Sequence, residues 1–431
     1  MKDIANLRTT LAELDDLLVT CMRCGMCQSV CPVFKDSMLE GDVARGKLAL
    51  IDSLAKRMID SPVEVKDRLE KCLLCGSCEA NCPSGVKITD IFIKARAILT
   101  GYIGLSPMKK AIFRGTLVHP RLFSGLLSMG SKFQGIMTSE ADTFLGTSCS
   151  KIMSPLIGDR HFMPLAKRPF RKDYSGMDTG KGTANIRVAF YPGCVVDKML
   201  PQVGHAVIKV LEHHGCGIYL PKNQACCGIP TLASGDEESF LKLLKHNLKP
   251  FSSGNYDVLV TPCATCTSTI KKLWPKMAAK ISPEAEKKAQ RVANRTMDIS
   301  EFLVKHFNVD LAAQAGKGAT QKVTWHDPCH LKKSIGVSQE PRAILKGLPG
   351  YEFVEMNEAD TCCGNGGSFN LAHYDTSSRI GGRKRENILA TGADVVTTGC
   401  PACMMQMTDM LSQAHDHVAV KHVIELYADA L

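Results

Sequence analysis

Short apolar, β-branched runs recur along the second half of the chain. They are Ile186-Arg187-Val188-Ala189-Phe190-Tyr191, Tyr256-Asp257-Val258-Leu259-Val260-Thr261, Val323-Thr324-Trp325 and Ala393-Asp394-Val395-Val396-Thr397-Thr398. Runs this short, with little alternation, predict buried parallel strands. Helical spacing fills the intervals, as in Val203 to His213 and Glu237 to Leu248, so this region reads as an alternating β/α layer structure. The first hundred residues read differently. Asp42 is placed to cap a helix through Val43, Leu48, Ile51, Leu54 and Met58, and Ser61-Pro62-Val63-Glu64 has the form of a capping box with proline at the first helical position. A further helix is expected from about Asp90 to Leu99, making this part α-helical.

Four segments follow from these patterns: a helical domain over 1–100, a connector over 101–185, and a duplicated α/β region divided into 186–320 and 321–431. The connector sets Lys109, Lys110, Arg114 and Arg121 among Met108, Ile112, Leu117, Phe123, Leu126 and Leu127. Such an amphipathic segment is expected to pack between domains or on a partner subunit, with peripheral contact to a membrane surface as the rarer fate. Charge is concentrated here. Residues 101–190 carry 13 Lys/Arg against 5 Asp/Glu, +8 of the chain's net +10. Without aromatic stacking platforms or a nucleic-acid motif, this reads as a docking surface or a solvated face before it reads as a nucleic-acid groove.

Composition adds one anomaly: 20 cysteines in 431 residues of otherwise globular usage. Acidic residues stand where a signal peptide would need an apolar core, in Met1-Lys2-Asp3 and Leu14-Asp15-Asp16, so a cytoplasmic chain with reduced cysteines is expected. There is also no apolar run of about 18 residues, the minimum for a spanning helix.

Eight of the cysteines form two copies of Cys-x2-Cys-x2-Cys-x3-Cys-Pro: Cys21, Cys24, Cys27 and Cys31, then Cys72, Cys75, Cys78 and Cys82. That is the two-cluster ferredoxin spacing, in which three thiolates wrap one cubane and the fourth reaches the other. One [4Fe-4S] cluster is therefore assigned to Cys21, Cys24, Cys27 and Cys82, and a second to Cys72, Cys75, Cys78 and Cys31. Zinc would favour two separated Cys-x2-Cys pairs around one ion. Gly25 and Gly76 sit between the second and third cysteines, where a loop wrapping a cluster gains from lacking a side chain.

Ten more cysteines reveal the duplication. Cys194, Cys226, Cys227, Cys263 and Cys266 recur as Cys329, Cys362, Cys363, Cys400 and Cys403, at offsets of 135, 136 and 137 residues. All stand just past predicted strand ends or in adjoining loops, where open α/β sheets bind ligands. Gly228 and Gly364 after the double cysteines are read as backbone geometry; His326, Asp327 and His330 around Cys329 as packing or hydrogen-bonding neighbours; Cys149 and Cys216 as small buried hydrophobes.

The five-cysteine pattern resembles the cysteine-rich CCG domain of heterodisulfide reductase catalytic subunits and of the iron–sulfur subunits of glycolate, lactate and anaerobic glycerol-3-phosphate dehydrogenases. The stretches LEGDVARGKLALI, CPSGVKITDIFIKARAIL, HDPCHL, CCGNGG and GADVVTTGCPAC carry it, and it covers nearly the whole chain. The resemblance implies one or two further clusters in the CCG region and an electron-transfer role beside a separate FAD-binding 2-hydroxy-acid dehydrogenase subunit, with quinone or a carrier protein as acceptor. The division of labour fits the residues, because neither a Gly-x-Gly-x-x-Gly dinucleotide fingerprint nor a Walker loop is present. This chain keeps all ten CCG cysteines where the glycolate subunits have lost some, which leaves heterodisulfide-type chemistry open.

Overall fold

The computed structural model describes residues 3–151, 158–174, 176–309, 318 and 320–431. Helices Ile4–Ala12, Ala44–Ala55, Pro62–Glu70 and Ile88–Ile103 pack around Leu11, Ile51, Leu54, Leu69, Ile91 and Leu99. Two short helices, Met26–Val30 and Ser77–Ala80, begin inside the cysteine loops. The residues that start them, Gly25 and Gly76, have φ of 87° and 72°, so glycine serves a left-handed turn as well as clearance.

Two expected caps are not made. Asp42 ends a 3-10 turn, Glu40–Asp42, and the next helix starts at Ala44 behind an extended Val43. Its carboxylate is buried instead, with Oδ1 3.2 Å from Arg68 Nη1 and 3.9 Å from Lys47 Nζ. Two cations hold it away from the helix end. Ser61 precedes Pro62 as expected, but its side chain makes no cap bond, so the box with Glu64 does not form. The helix expected over Asp90 to Leu99 runs longer, to Ile88–Ile103, because Phe92, Ala95 and Leu99 continue one buried face.

The connector folds as Pro107–Lys110, the wider π-type turns Ala111–Leu117, and the helix Pro120–Met137, followed by an antiparallel hairpin, β1 (Thr138–Asp142) with β2 (Thr147–Ser150), that no alternation announced. Phe113 and Leu117 enter the core of the first repeat, as packing between domains requires. The longer helix is not covered within this chain. Leu122, Leu126, Met129, Phe133 and Ile136 recur every three or four residues and all are exposed, forming an apolar stripe open to solvent.

Beyond the connector the chain builds one topology twice. β3 (Arg187–Phe190), β4 (Gly217–Tyr219), β5 (Val258–Thr261) and β6 (Thr296–Asp298) form a parallel sheet in the order β4-β3-β5-β6. β7 (Gln321–Trp325), β8 (Tyr351–Val354), β9 (Val395–Thr398) and β10 (Ala419–His422) repeat it as β8-β7-β9-β10. The central strands β3, β5, β7 and β9 are the apolar runs seen in the sequence. The outer four are short and carry weaker apolar signals. Expected helices appear as Pro201–His213 and Glu237–Ser253.

The two sheets face each other through their cysteine loops: Ala264 N donates to Gly399 O at 3.0 Å, and the ring of buried His422 lies 3.0 Å from Pro262 O. The helical part sits against both repeats. Arg96 and Thr100 reach the backbone of Ala233 and Ser234, while Arg379 pairs with Asp36 at 2.7 Å and Lys333 Nζ donates to Ser77 Oγ at 2.6 Å. Among the described residues no helix is long and apolar enough to cross a membrane.

Candidate iron–sulfur sites

Each cysteine loop is held open by the elements around it. In the helical part, Cys21, Cys24, Cys27 and Cys82 line one small cavity, with Cys78 on its wall and Cys24 exposed. Cys31 leaves its own motif for the other group. Burial, then the neighbouring Cys75 and Cys72, push its thiol up to about 12. Burial, followed by Cys72, Cys75 and Cys31, also raises the Cys78 thiol well above its ordinary value. Crowded buried thiols resist ionising together, and a cationic metal centre is what relieves that cost. Backbone amides are already turned toward them, Phe34 N to Cys31 Sγ at 3.5 Å and Leu74 N to Cys72 Sγ at 3.4 Å.

In the CCG region the five cysteines of each repeat converge from three loops. Cys194 Sγ stands 4.0 Å from Cys226 Sγ, and Cys266 contacts Cys227 and Cys263. In the second repeat Cys362 contacts Cys329 and Cys363, and Cys403 contacts Cys363 and Cys400. Gly228 and Gly364 have φ of 98° and 99°; a Cβ there would meet the Phe240 ring at 2.6 Å and Ser377 O at 2.7 Å. All 20 cysteines are free thiols. The convergent sulfur donors fit iron–sulfur clusters: Cys21, Cys24, Cys27 and Cys82 for one, Cys72, Cys75, Cys78 and Cys31 for another, and the two five-cysteine sets for more.

Two contacts between groups were invisible along the chain. The Cys362 thiol beside Cys75, together with burial, raises the Cys75 thiol, so the second motif of the helical part touches the second repeat. Cys263 contacts its own counterpart Cys400, so the two repeats meet cysteine to cysteine. The four groups therefore stand in one succession. It runs from exposed Cys24, through the Cys75 group, into the second repeat and then the first.

The residues flanking Cys329 separate into roles. Asp327 is buried and takes both guanidinium nitrogens of Arg342 at 2.8 Å, a structural ion pair. His330 lies 3.3 Å from Thr265 Oγ1, which in turn is 3.5 Å from Cys400 Sγ. His330 Nδ1 also stands 3.9 Å from Cys329 Sγ, and His326 faces a different pair of sulfurs. Its Nδ1 faces Ala359 O at 3.1 Å, and a ring nitrogen lies within 4.8 Å of Cys363 and Cys403. Nδ1–H donation to that carbonyl leaves Nε2, which has no partner among the described residues, as a lone pair beside the thiols. Tyr191 takes this place in the first repeat and spends its hydroxyl on Ala225 O at 2.6 Å. His326→Leu should therefore change the paramagnetic resonance of the second repeat's centre and leave the ferredoxin-type signals as they are. Identical spectra would reduce His326 to packing.

Cys216 is buried in the core of the first repeat, as expected. Cys149 is not: it lies half-buried on β2, 3.3 Å from Ser139 Oγ. It belongs to no cysteine group.

The comparisons with known proteins agree with this geometry. A "4Fe-4S dicluster domain" matches residues 18–86, and a "Cysteine-rich domain" matches residues 188–271 and 323–408. A dicluster domain followed by two cysteine-rich domains defines an iron–sulfur redox protein carrying [4Fe-4S] clusters. The chain is 31% identical over 399 residues to "Probable glycolate oxidase iron-sulfur subunit" of Bacillus subtilis, covering 90% of this chain and 88% of that one. It is 28% identical to a CoM/CoB fumarate reductase subunit of Methanothermobacter marburgensis, covering 92% and 80%. To "Lactate utilization protein A" of Shouchella clausii it is 30% identical, over 56% of this chain and 98% of that one. The chain belongs to the glycolate oxidase iron–sulfur subunit family.

Proposed function

We propose that this chain is the electron-transfer subunit of a flavin-dependent lactate or glycolate dehydrogenase complex, linking a partner FAD subunit to quinone or another carrier. The observation that carries the reading is the unbroken succession of cysteine groups from exposed Cys24 to the first repeat. An iron–sulfur cluster accepts and releases single electrons, whereas oxidising a 2-hydroxy acid removes two, which calls for a flavin elsewhere. This chain's residues hold the sulfur donors in register and bury nine of the ten CCG cysteines. The apolar stripe on Pro120–Met137, beside Lys109, Lys110 and Arg121, suits a partner subunit or an anionic membrane surface as its cover.

A second reading has its own support. All ten CCG cysteines converge in both repeats, as disulfide reduction at such a centre would require, and one relative belongs to a CoM/CoB fumarate reductase. Anaerobic copurification separates the two. A bound flavoprotein through which lactate or glycolate bleaches the visible absorbance of this chain supports the relay. A chain without flavoprotein that reduces a disulfide from an artificial donor supports the alternative and sinks the first reading.

A further inference from the structure

A cavity of about 670 Å³ opens beside the first repeat, and no cysteine lines it. Its roof is the start of helix Pro120–Met137, through Arg121, Ser124 and Ser128; its floor is Asp197, Lys198 and Gln224; Arg171, Lys172, Lys222 and His246 close the sides. The volume is that of a small-molecule site. Five cations, Arg121, Arg171, Lys172, Lys198 and Lys222, face one carboxylate. Asp197 is already taken, by Arg171 at 2.9 Å and Lys198 at 3.0 Å. Among the described residues Arg121, Lys172 and Lys222 have no acidic partner, so the cavity keeps a positive field that concentrates anions.

A second observation points to a ligand. Gln224 is 3% exposed, and its Nε2 is spent on Phe190 O at 3.2 Å and Pro221 O at 3.1 Å. Its Oε1 is buried without a partner, as is Nε2 of His246. A buried acceptor left without a partner is destabilising, and a hydrogen-bond donor arriving with the ligand would remove that cost. From Gln224 a neck of about 20 Å³ continues between Leu117, Phe123 and Arg171 to Cys194 and Cys226. That space admits roughly one water-sized group.

We infer that this cavity binds a small organic anion, a carboxylate or phosphate that also carries a hydroxyl or thiol. The anionic end meets the free cations, and the donor turns toward Gln224 Oε1 and the neck leading to the first repeat's cysteines. The inference is independent of the proposed relay and of what those cysteines hold.

Anaerobic isothermal titration of the cluster-loaded full chain tests it, with malate, succinate, inorganic phosphate and glycerol as probes at constant ionic strength. Malate should bind about tenfold tighter than succinate, which lacks the hydroxyl, and glycerol should not bind. The double variant Lys172→Gln/Lys222→Gln, both exposed and outside every cysteine group, should weaken malate about tenfold or more with an unchanged melting temperature. Lys287→Gln, on helix Pro283–Asn294 and outside the cavity lining, should change nothing. Phosphate binding tighter than malate, and lost in the double variant, would assign the anion as a phosphate. Glycerol binding as well as malate, no anion binding at all, or a double variant indistinguishable from wild type would overturn the site.

Discussion

Cys82→Ser should empty the site of Cys21, Cys24 and Cys27, although Cys82 belongs to the other motif along the chain. Cys82 lines the same cavity as those three, whereas Cys31 is crowded by Cys72, Cys75 and Cys78. The variant should lose about four of the ferredoxin-type irons and give the resonance spectrum of Cys24→Ser. Cys31→Ser should instead resemble Cys75→Ser. Because serine replaces sulfur without enlarging the site, the comparison reads ligation and not packing. If Cys82→Ser matched Cys75→Ser, each motif would hold its own cluster and the crossed assignment would be wrong.

The second large effect is expected at Arg96. This buried guanidinium donates to the carbonyls of Leu69 and Cys72 in the helical part and to Ala233 O of the first repeat, the last two at 2.7 Å. Leucine would leave one buried and two part-buried acceptors without this donor, at about 1–3 kcal/mol for the buried one and less for the others, so a loss of about 2–4 kcal/mol follows. Gly235 packs so closely beneath the same helix that a Cβ would come within 2.4 Å of Arg96 O, leaving little room for the backbone to adjust. Arg96→Leu should therefore lower the melting temperature, open the 233–235 loop to proteolysis and disturb the centre that includes Cys72. Arg96→Lys keeps the charge but cannot fork to three carbonyls, and should fall between. A melting temperature within a degree of wild type would show that other contacts hold this seam.

The physical origin of each signal decides how much the sequence could show. β3, β5, β7 and β9 are buried on both faces, so composition alone marks them, and the cysteines that follow are read with them. Their neighbours β4, β6, β8 and β10 carry weaker signals. Asp42 and Ser61 look like caps because capping signals are local, but Asp42 is claimed by Lys47 and Arg68 from other turns. The connector's periodicity announced a helix without saying which side would be covered, and Pro120–Met137 leaves its apolar stripe bare. Spacing grouped the cysteines within each site. It could not show that Cys75 meets Cys362 or Cys263 meets Cys400, since those contacts arise from packing of units far apart in the chain. His326 was visible as a neighbour of Cys329, yet only the fold sets it beside Cys363 and Cys403.

The central claim is a chain of iron–sulfur centres extending from the helical part through both repeats. Iron and acid-labile sulfide analysis of the anaerobically prepared full chain, paired with paramagnetic resonance during stepwise reduction, tests it most directly. The account predicts more than about eight irons per chain, with signals beyond those of two [4Fe-4S] clusters that disappear when the CCG cysteines are replaced. About eight irons and no additional signal would end the succession at Cys75, and zinc in place of iron would contradict the account altogether.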